Sequence, residues 1–241
     1  MTLVVGIKCT DGVVIASDSA MTFYSGLVQN YSSKVQTIDN DFIVACTGEI
    51  GLSQRFIEVV NRISGMGDFA KLSPLEIGKF ITASTINDFN ETNVPLDSFA
   101  ALVAFPFMGR TELLEIQQNN LQPEFKDRAN WYTALGSGYE VALPLLGFVR
   151  NIFWGDCPPN RQEGIFAAVL VLELAFSMHP YGVAGPIQMA TLTQEDNPIK
   201  ATLLTKEELE EHRVVAENAM EHFRSFSQSP DSTVSIPEPE S

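Results

Sequence analysis

Cysteine is scarce in this 241-residue chain: Cys9, Cys46 and Cys157 are the whole complement, and no two form a CxxC pair. That excludes a disulfide framework and argues against a structural zinc site. Cys9 and Cys46 fall in apolar, strand-like runs, where a thiol serves as a small hydrophobe. Cations are also short, with 15 Lys and Arg against 30 Asp and Glu, a formal charge of -15 and a pI of about 4.5. A surface of that sign repels phosphate backbones and no basic patch relieves it, so nucleic-acid binding is not expected. Long hydrophobic runs are missing: the longest, Gly164 to Met178, is interrupted by Glu173 and is too short to cross a bilayer. The apolar start of the chain has no basic segment before it and is broken by Lys8, Cys9, Thr10 and Asp11, unlike a secretory signal. A reducing, cytoplasmic setting without membrane contact is expected. With three histidines (His179, His212, His222) and no Gly-x-Ser-x-Gly, a Ser-His-Asp hydrolase is disfavoured. No nucleotide-binding motif is present and no cofactor or metal is expected.

What is present suits one globular domain: 45% hydrophobic residues, 19% charged, and a mean hydropathy of +0.05. Two strands, Leu3–Cys9 and Val13–Ser17, flank the hairpin signal Asp11-Gly12. A second pair, Lys34–Ile38 and Phe42–Cys46, flanks Asp39-Asn40-Asp41. Two helices follow, about Leu52–Ile63 and from Ser73 to about Phe89, the second opened by a Ser cap, Pro74 and Glu76. Strands resume at Phe99–Phe105, Thr111–Gln117, Gln122–Phe125 and Tyr132–Leu135. Helices are expected over Tyr139–Phe153 and Gln162–Ser177, then strands at Ile187–Thr193 and Ile199–Leu203. Thr205 would cap a last helix reaching about Phe223. Because helices come in pairs between strand blocks, a parallel βαβ sheet fits poorly. The expected class is α+β, a four-layer αββα sandwich of two antiparallel sheets between helix layers. It would span residues 1–224, with 225–241 a disordered Ser, Pro and Glu tail.

Thr2 carries the sharpest chemical signal. Aminopeptidases remove an initiator Met before a small residue, so the mature chain is expected to begin at Thr2. A terminal threonine offers a hydroxyl nucleophile and an α-amine on one Cα. The hydroxyl needs a base, and an α-amine, with a reference pKa of about 7.7–8.0, is suited to that role near neutral pH. Asp18 follows sixteen residues after Thr2, at a strand end; Lys34 follows thirty-two later, opening a strand; Gly48 follows forty-six later, in a turn before a helix. Taken singly, these are an ordinary turn residue, a solvated lysine and a turn glycine. Ser137, between Gly136 and Gly138, reads equally as a helix cap.

The register resembles the β-type subunit of proteasomes and the related bacterial ring proteases, members of the N-terminal-nucleophile hydrolases. The local text agrees over residues 2–60: Gly12-Val-Val-Ile-Ala-Ser-Asp18-Ser19, Lys34-Val35 and Thr47-Gly48. The resemblance implies Thr2 as nucleophile. It implies Asp18 holding the Lys34 ammonium, and Lys34 lowering the amine pKa and stabilising the alkoxide. Gly48 N–H would donate to the oxyanion, Ser137 would bind the amine, and the Thr22 backbone would pair with extended substrate. Three positions depart from the pattern: Ala20 replaces a frequent Arg, and Pro180 and Val183 stand at the places of a late Asp and Ser.

The leading expectation is therefore a threonine endopeptidase acting on peptide or unfolded protein. It would work within a homo-oligomeric ring, to which an unfoldase or activator could dock. Two readings compete: a catalytically inactive structural ring subunit, and an amidase of the same fold. The apolar side of the third helix (Leu145, Leu146, Phe148, Val149) would either contact a neighbouring subunit or fill the core.

Overall fold

Successive side chains of the first strand, β1 (Val4–Lys8), point to opposite sides, and both sides are buried. Such a strand needs a covering layer on each face. The computed structural model describes residues 2–22, 28–31, 33–66, 71–178, 182–196 and 198–228. The strands after β1 are β2 (Gly12–Ser17), β3 (Ala20–Thr22), β4 (Val28–Tyr31), β5 (Val35–Ile38) and β6 (Phe42–Thr47). Helices α1 (Ile50–Ser64) and α2 (Pro74–Asn90) come next, then β7 (Ala100–Phe107), β8 (Arg110–Ile116), β9 (Pro123–Phe125) and β10 (Tyr132–Leu135). The chain continues through α3 (Tyr139–Phe153), α4 (Arg161–Met178), β11 (Gln188–Thr193), β12 (Ala201–Leu203) and α5 (Lys206–Gln228).

Two five-stranded antiparallel sheets result, ordered β10-β1-β2-β11-β12 and β5-β6-β7-β8-β9. Val4, Val13 and Ile15 of the first sheet meet Ile43, Ala45, Leu102 and Leu113 of the second in a middle core. The opposite side of the first sheet (Val5, Ile7, Val14) packs on α3 and α4, with Ala216 of α5 behind them. The opposite side of the second (Phe42, Val44, Cys46, Val103, Phe105) packs on α1 and α2. Helix, sheet, sheet, helix is the sandwich that the sequence pattern implied. Phe99 joins the second sheet to both of its helices: its ring lies 5.1 Å from Phe56 of α1 and 5.3 Å from Phe89 of α2.

Local chemistry sets the element ends. Ser73 and Glu76 close a reciprocal capping box on α2. Thr205 and Glu208 do the same on α5, with Glu208 N donating to Thr205 Oγ1 at 3.2 Å and Thr205 N to Glu208 Oε2 at 2.7 Å. Asp39 and Asn40 both take positive φ, 51° and 60°, the two-residue turn geometry that short polar side chains tolerate between antiparallel strands.

Three points differ from the sequence reading. The hairpin β3–β4 was not anticipated; its strands are short, and its register shifts between Met21 and Thr22. Helix α5 runs through Gln228, so residues 225–228 are helical and do not begin a tail; 229–241 lie outside the described residues. On α3, Leu146 and Val149 fill the core while Phe148 is exposed, so that side serves both surfaces.

Candidate active site

One end of the sandwich gathers the start of β1, the end of β2, the end of β10 and the start of β11. Val4 pairs with Ser17 and Leu135, and Ser17 pairs with Gln188. From the second sheet the same end receives the start of β5 and the end of β6. The antiparallel fold thus brings together residues separated by more than a hundred positions.

Asp18 follows β2 and is fully buried. Its Oδ1 accepts from Leu3 N at 2.8 Å and its Oδ2 from Ala20 N at 3.1 Å. Lys34 Nζ donates to both oxygens at 2.9 Å and to the Ala20 carbonyl at 2.6 Å. Asp18 is therefore braced from Leu3, the residue before β1, while it holds the ammonium. Burial pushes the Asp18 carboxyl above its ordinary value, against Lys34 and the two backbone donors. Burial likewise pushes the Lys34 ammonium below its ordinary value, against the pull of Asp18.

Ser137 meets Thr2 directly. Thr2 N donates to Ser137 Oγ at 3.2 Å, Ser137 Oγ donates to the Thr2 carbonyl at 3.5 Å, and Gly138 N donates to the same carbonyl at 3.3 Å. The helix-cap reading of Ser137 does not hold: the N-cap of α3 is Gly138, with no side-chain cap. Gly136 makes the approach possible. It sits at φ 88°, and a Cβ there would lie 2.2 Å from Thr2 O and 3.2 Å from Thr47 Cγ2. Thr47 thus borders the same corner, and Gly48 follows it at φ 108°, where a Cβ would meet the Ser98 carbonyl at 2.4 Å.

The structure therefore joins Thr2 to Ser137, and Lys34 to Asp18, with Leu3 N linking the carboxylate to the residue after Thr2. Gly48 follows Thr47, whose Cγ2 borders Gly136. Thr22 lies in β3, two residues past Ala20, and pairs with Val28. His179 and Pro180 fall outside the described residues, as does Met1. Val183 is buried in the core beneath α3 and α4. Sequence reasoning missed the Ala20 main chain, which has no side-chain signature, and the steric role of Gly136, which the Gly-Ser-Gly turn could have signalled.

Comparison with known proteins bears on the family and the fold. Residues 2–117 match the family described as Proteasome subunit. Proteasome subunit beta 1 of Thermococcus onnurineus (strain NA1) is 23% identical over 197 residues, covering 80% of this chain and 89% of that one. Proteasome subunit beta of Methanocaldococcus fervens is 26% identical over 202 residues, covering 80% and 82%. Among solved structures, Anbu (ancestral beta-subunit) from Yersinia bercovieri superposes with a TM-score of 0.71 over 96% of this chain and 99% of that one, at 13% identity.

Proposed function

We propose that the chain, whose residues 2–117 match the Proteasome subunit family, is a β-type N-terminal-nucleophile hydrolase and a threonine peptidase whose nucleophile is Thr2, freed by removal of Met1. The observation that carries the reading is the pair of contacts at one sandwich end: Thr2 N on Ser137 Oγ, and Lys34 Nζ on both oxygens of buried Asp18.

Thr2 Oγ attacks the peptide carbonyl carbon, and its proton passes to the α-amine. The Lys34 charge disfavours a second cation nearby and so keeps that amine unprotonated before attack. It also stabilises the alkoxide as it forms. Ser137 Oγ accepts one amine hydrogen and fixes the direction of the lone pair. Gly48 N–H donates to the carbonyl oxygen as it becomes an oxyanion. The amine returns its proton to the leaving nitrogen, the peptide C–N bond breaks, and an ester on Thr2 remains. Water then adds to that ester, transferring a proton to the amine, and the carboxylic acid leaves as Thr2 regains its hydroxyl proton. Substrate lies extended against the Thr22 backbone.

The chain works as a homo-oligomeric ring in the cytoplasm, and any ATP-driven unfolding resides in a partner. Turnover of a fluorogenic peptide by the purified chain, and its loss in Thr2→Ala, tests the reading. A second reading, a structural ring subunit without catalysis, is favoured by one observation: Val183, at the place of the late Ser, is an apolar core residue. Retained Met1 in the assembled protein would select it.

A further inference from the structure

Lys34 stands one residue before the ladder that should hold it. The register of β5 on β6 begins at Val35, opposite Ala45, and β5 is an edge strand of its sheet. The Lys34 main chain thus lies just outside the β5–β6 register, and its side chain reaches Asp18. The other sheet supplies a hold on it. Gln188 Oε1, at the start of β11, accepts from Lys34 N at 2.8 Å and from Val35 N at 3.4 Å. Gln188 is itself locked in register opposite Ser17, the residue before Asp18. One amide side chain thus bridges the strand that delivers the carboxylate and the strand that delivers the ammonium.

We propose that Gln188 is a positioning residue of the Thr2 site: its side-chain carbonyl fixes the Lys34 main chain relative to Asp18, so that the ammonium is held at the nucleophile without contact between Gln188 and substrate. The proposal rests on the peptidase reading above. The chemistry of the residue suits the task. An amide oxygen accepts two N–H groups, as a carboxylate oxygen would. A misplacement of about 1 Å of a group acting on the transition state can cost on the order of a hundredfold in rate, so a lost tether should be read in kcat and not in substrate binding.

The test uses the full chain and two variants. Gln188→Met keeps the length and removes the acceptor; Gln188→Glu keeps the acceptor. With a fluorogenic peptide, Gln188→Met should lower kcat about tenfold with KM within about twofold of wild type, and Gln188→Glu should recover most of the loss. Hydrogen exchange at the Lys34 and Val35 amides should speed up about tenfold or more in Gln188→Met and stay near wild type in Gln188→Glu. An active wild type with unaltered kcat in Gln188→Met overturns the proposal alone, as does an equal loss in both variants. A wild type that neither turns over peptide nor forms an adduct on Thr2 overturns the peptidase reading itself, and the role of Gln188 falls with it.

Discussion

Lys34 Nζ lies 2.9 Å from each carboxylate oxygen of Asp18, and the two side chains are 9% and 0% exposed. Such a pair is costly to break and not costly to replace, because a lone buried charge lacks both water and partner. Asp18→Ala and Lys34→Ala should each destabilise the fold by about 3–5 kcal/mol, whereas Asp18→Asn combined with Lys34→Met should recover most of that. All three should lose peptide turnover. Urea denaturation beside a peptide assay checks this, and a double variant as unstable as the singles would contradict it.

The same pair sets a pH dependence. Burial holds Lys34 below its ordinary 10.5, so the alkaline limb of activity, where the ammonium is lost, should fall below that value. The acid limb should follow the Thr2 amine, which must be unprotonated to act, near its reference of about 7.7–8.0 or lower. The stability signs are the reverse of an ordinary ion pair. Between the folded and unfolded Lys34 values the unfolded chain binds more protons, so this group's contribution rises with pH there. Asp18 titrates above 3.8 when folded, so its contribution falls as pH rises through that window. Both are costs at neutral pH, relieved in the paired Asn and Met variant. A bell-shaped kcat/KM profile with an alkaline limb at or above 10.5 would contradict the burial of Lys34.

On the proposed mechanism, Ser137 should separate catalysis from folding. Since α3 takes its cap from Gly138, Ser137→Ala should change stability by no more than about 0.5 kcal/mol. Peptide turnover should still drop, because the Thr2 nitrogen loses its acceptor. Thermal unfolding and kcat measured on one sample decide it; a large Tm loss would restore the cap reading.

Gly136→Ala should damage both. It forces a Cβ against the Thr2 carbonyl at a φ of 88°, a strain of about 1–3 kcal/mol before any displacement of Thr2. Lower Tm together with lost turnover is expected, and wild-type activity in this variant would show that Thr2 does not sit on the β10–α3 turn.

Cys9 and Cys46 should be inert. Burial pushes both thiols far above their ordinary range, and both side chains are enclosed, while Cys157 is exposed. Maleimide should add once to the native chain and three times after denaturation. Two or more native adducts would contradict the core described around β1 and β6.

Much of the sandwich could be read from local patterns. The capped start of α2 was visible as Ser73-Pro74-x-Glu76, and the β5–β6 turn as Asp39-Asn40-Asp41. Helix α5 was read short because it is almost wholly exposed, with Ala216 its buried anchor, so the apolar period faded before the helix ended. The spacing of Thr2, Asp18 and Lys34 was legible through the family resemblance, with Asp18 ending a strand and Lys34 opening one. Ala20 and Gln188 were not. One acts through its main chain, and the other through a contact between sheets that leaves no periodic trace in the sequence.

The account turns on a free Thr2 amine beside a nucleophilic hydroxyl, and one measurement tests both: intact mass before and after treatment with a peptide epoxyketone, which forms a ring through the hydroxyl and the α-amine together. Loss of Met1 plus a single adduct, absent in Thr2→Ala, is the predicted result. A chain that keeps Met1 and takes no adduct would contradict the account and leave a structural subunit.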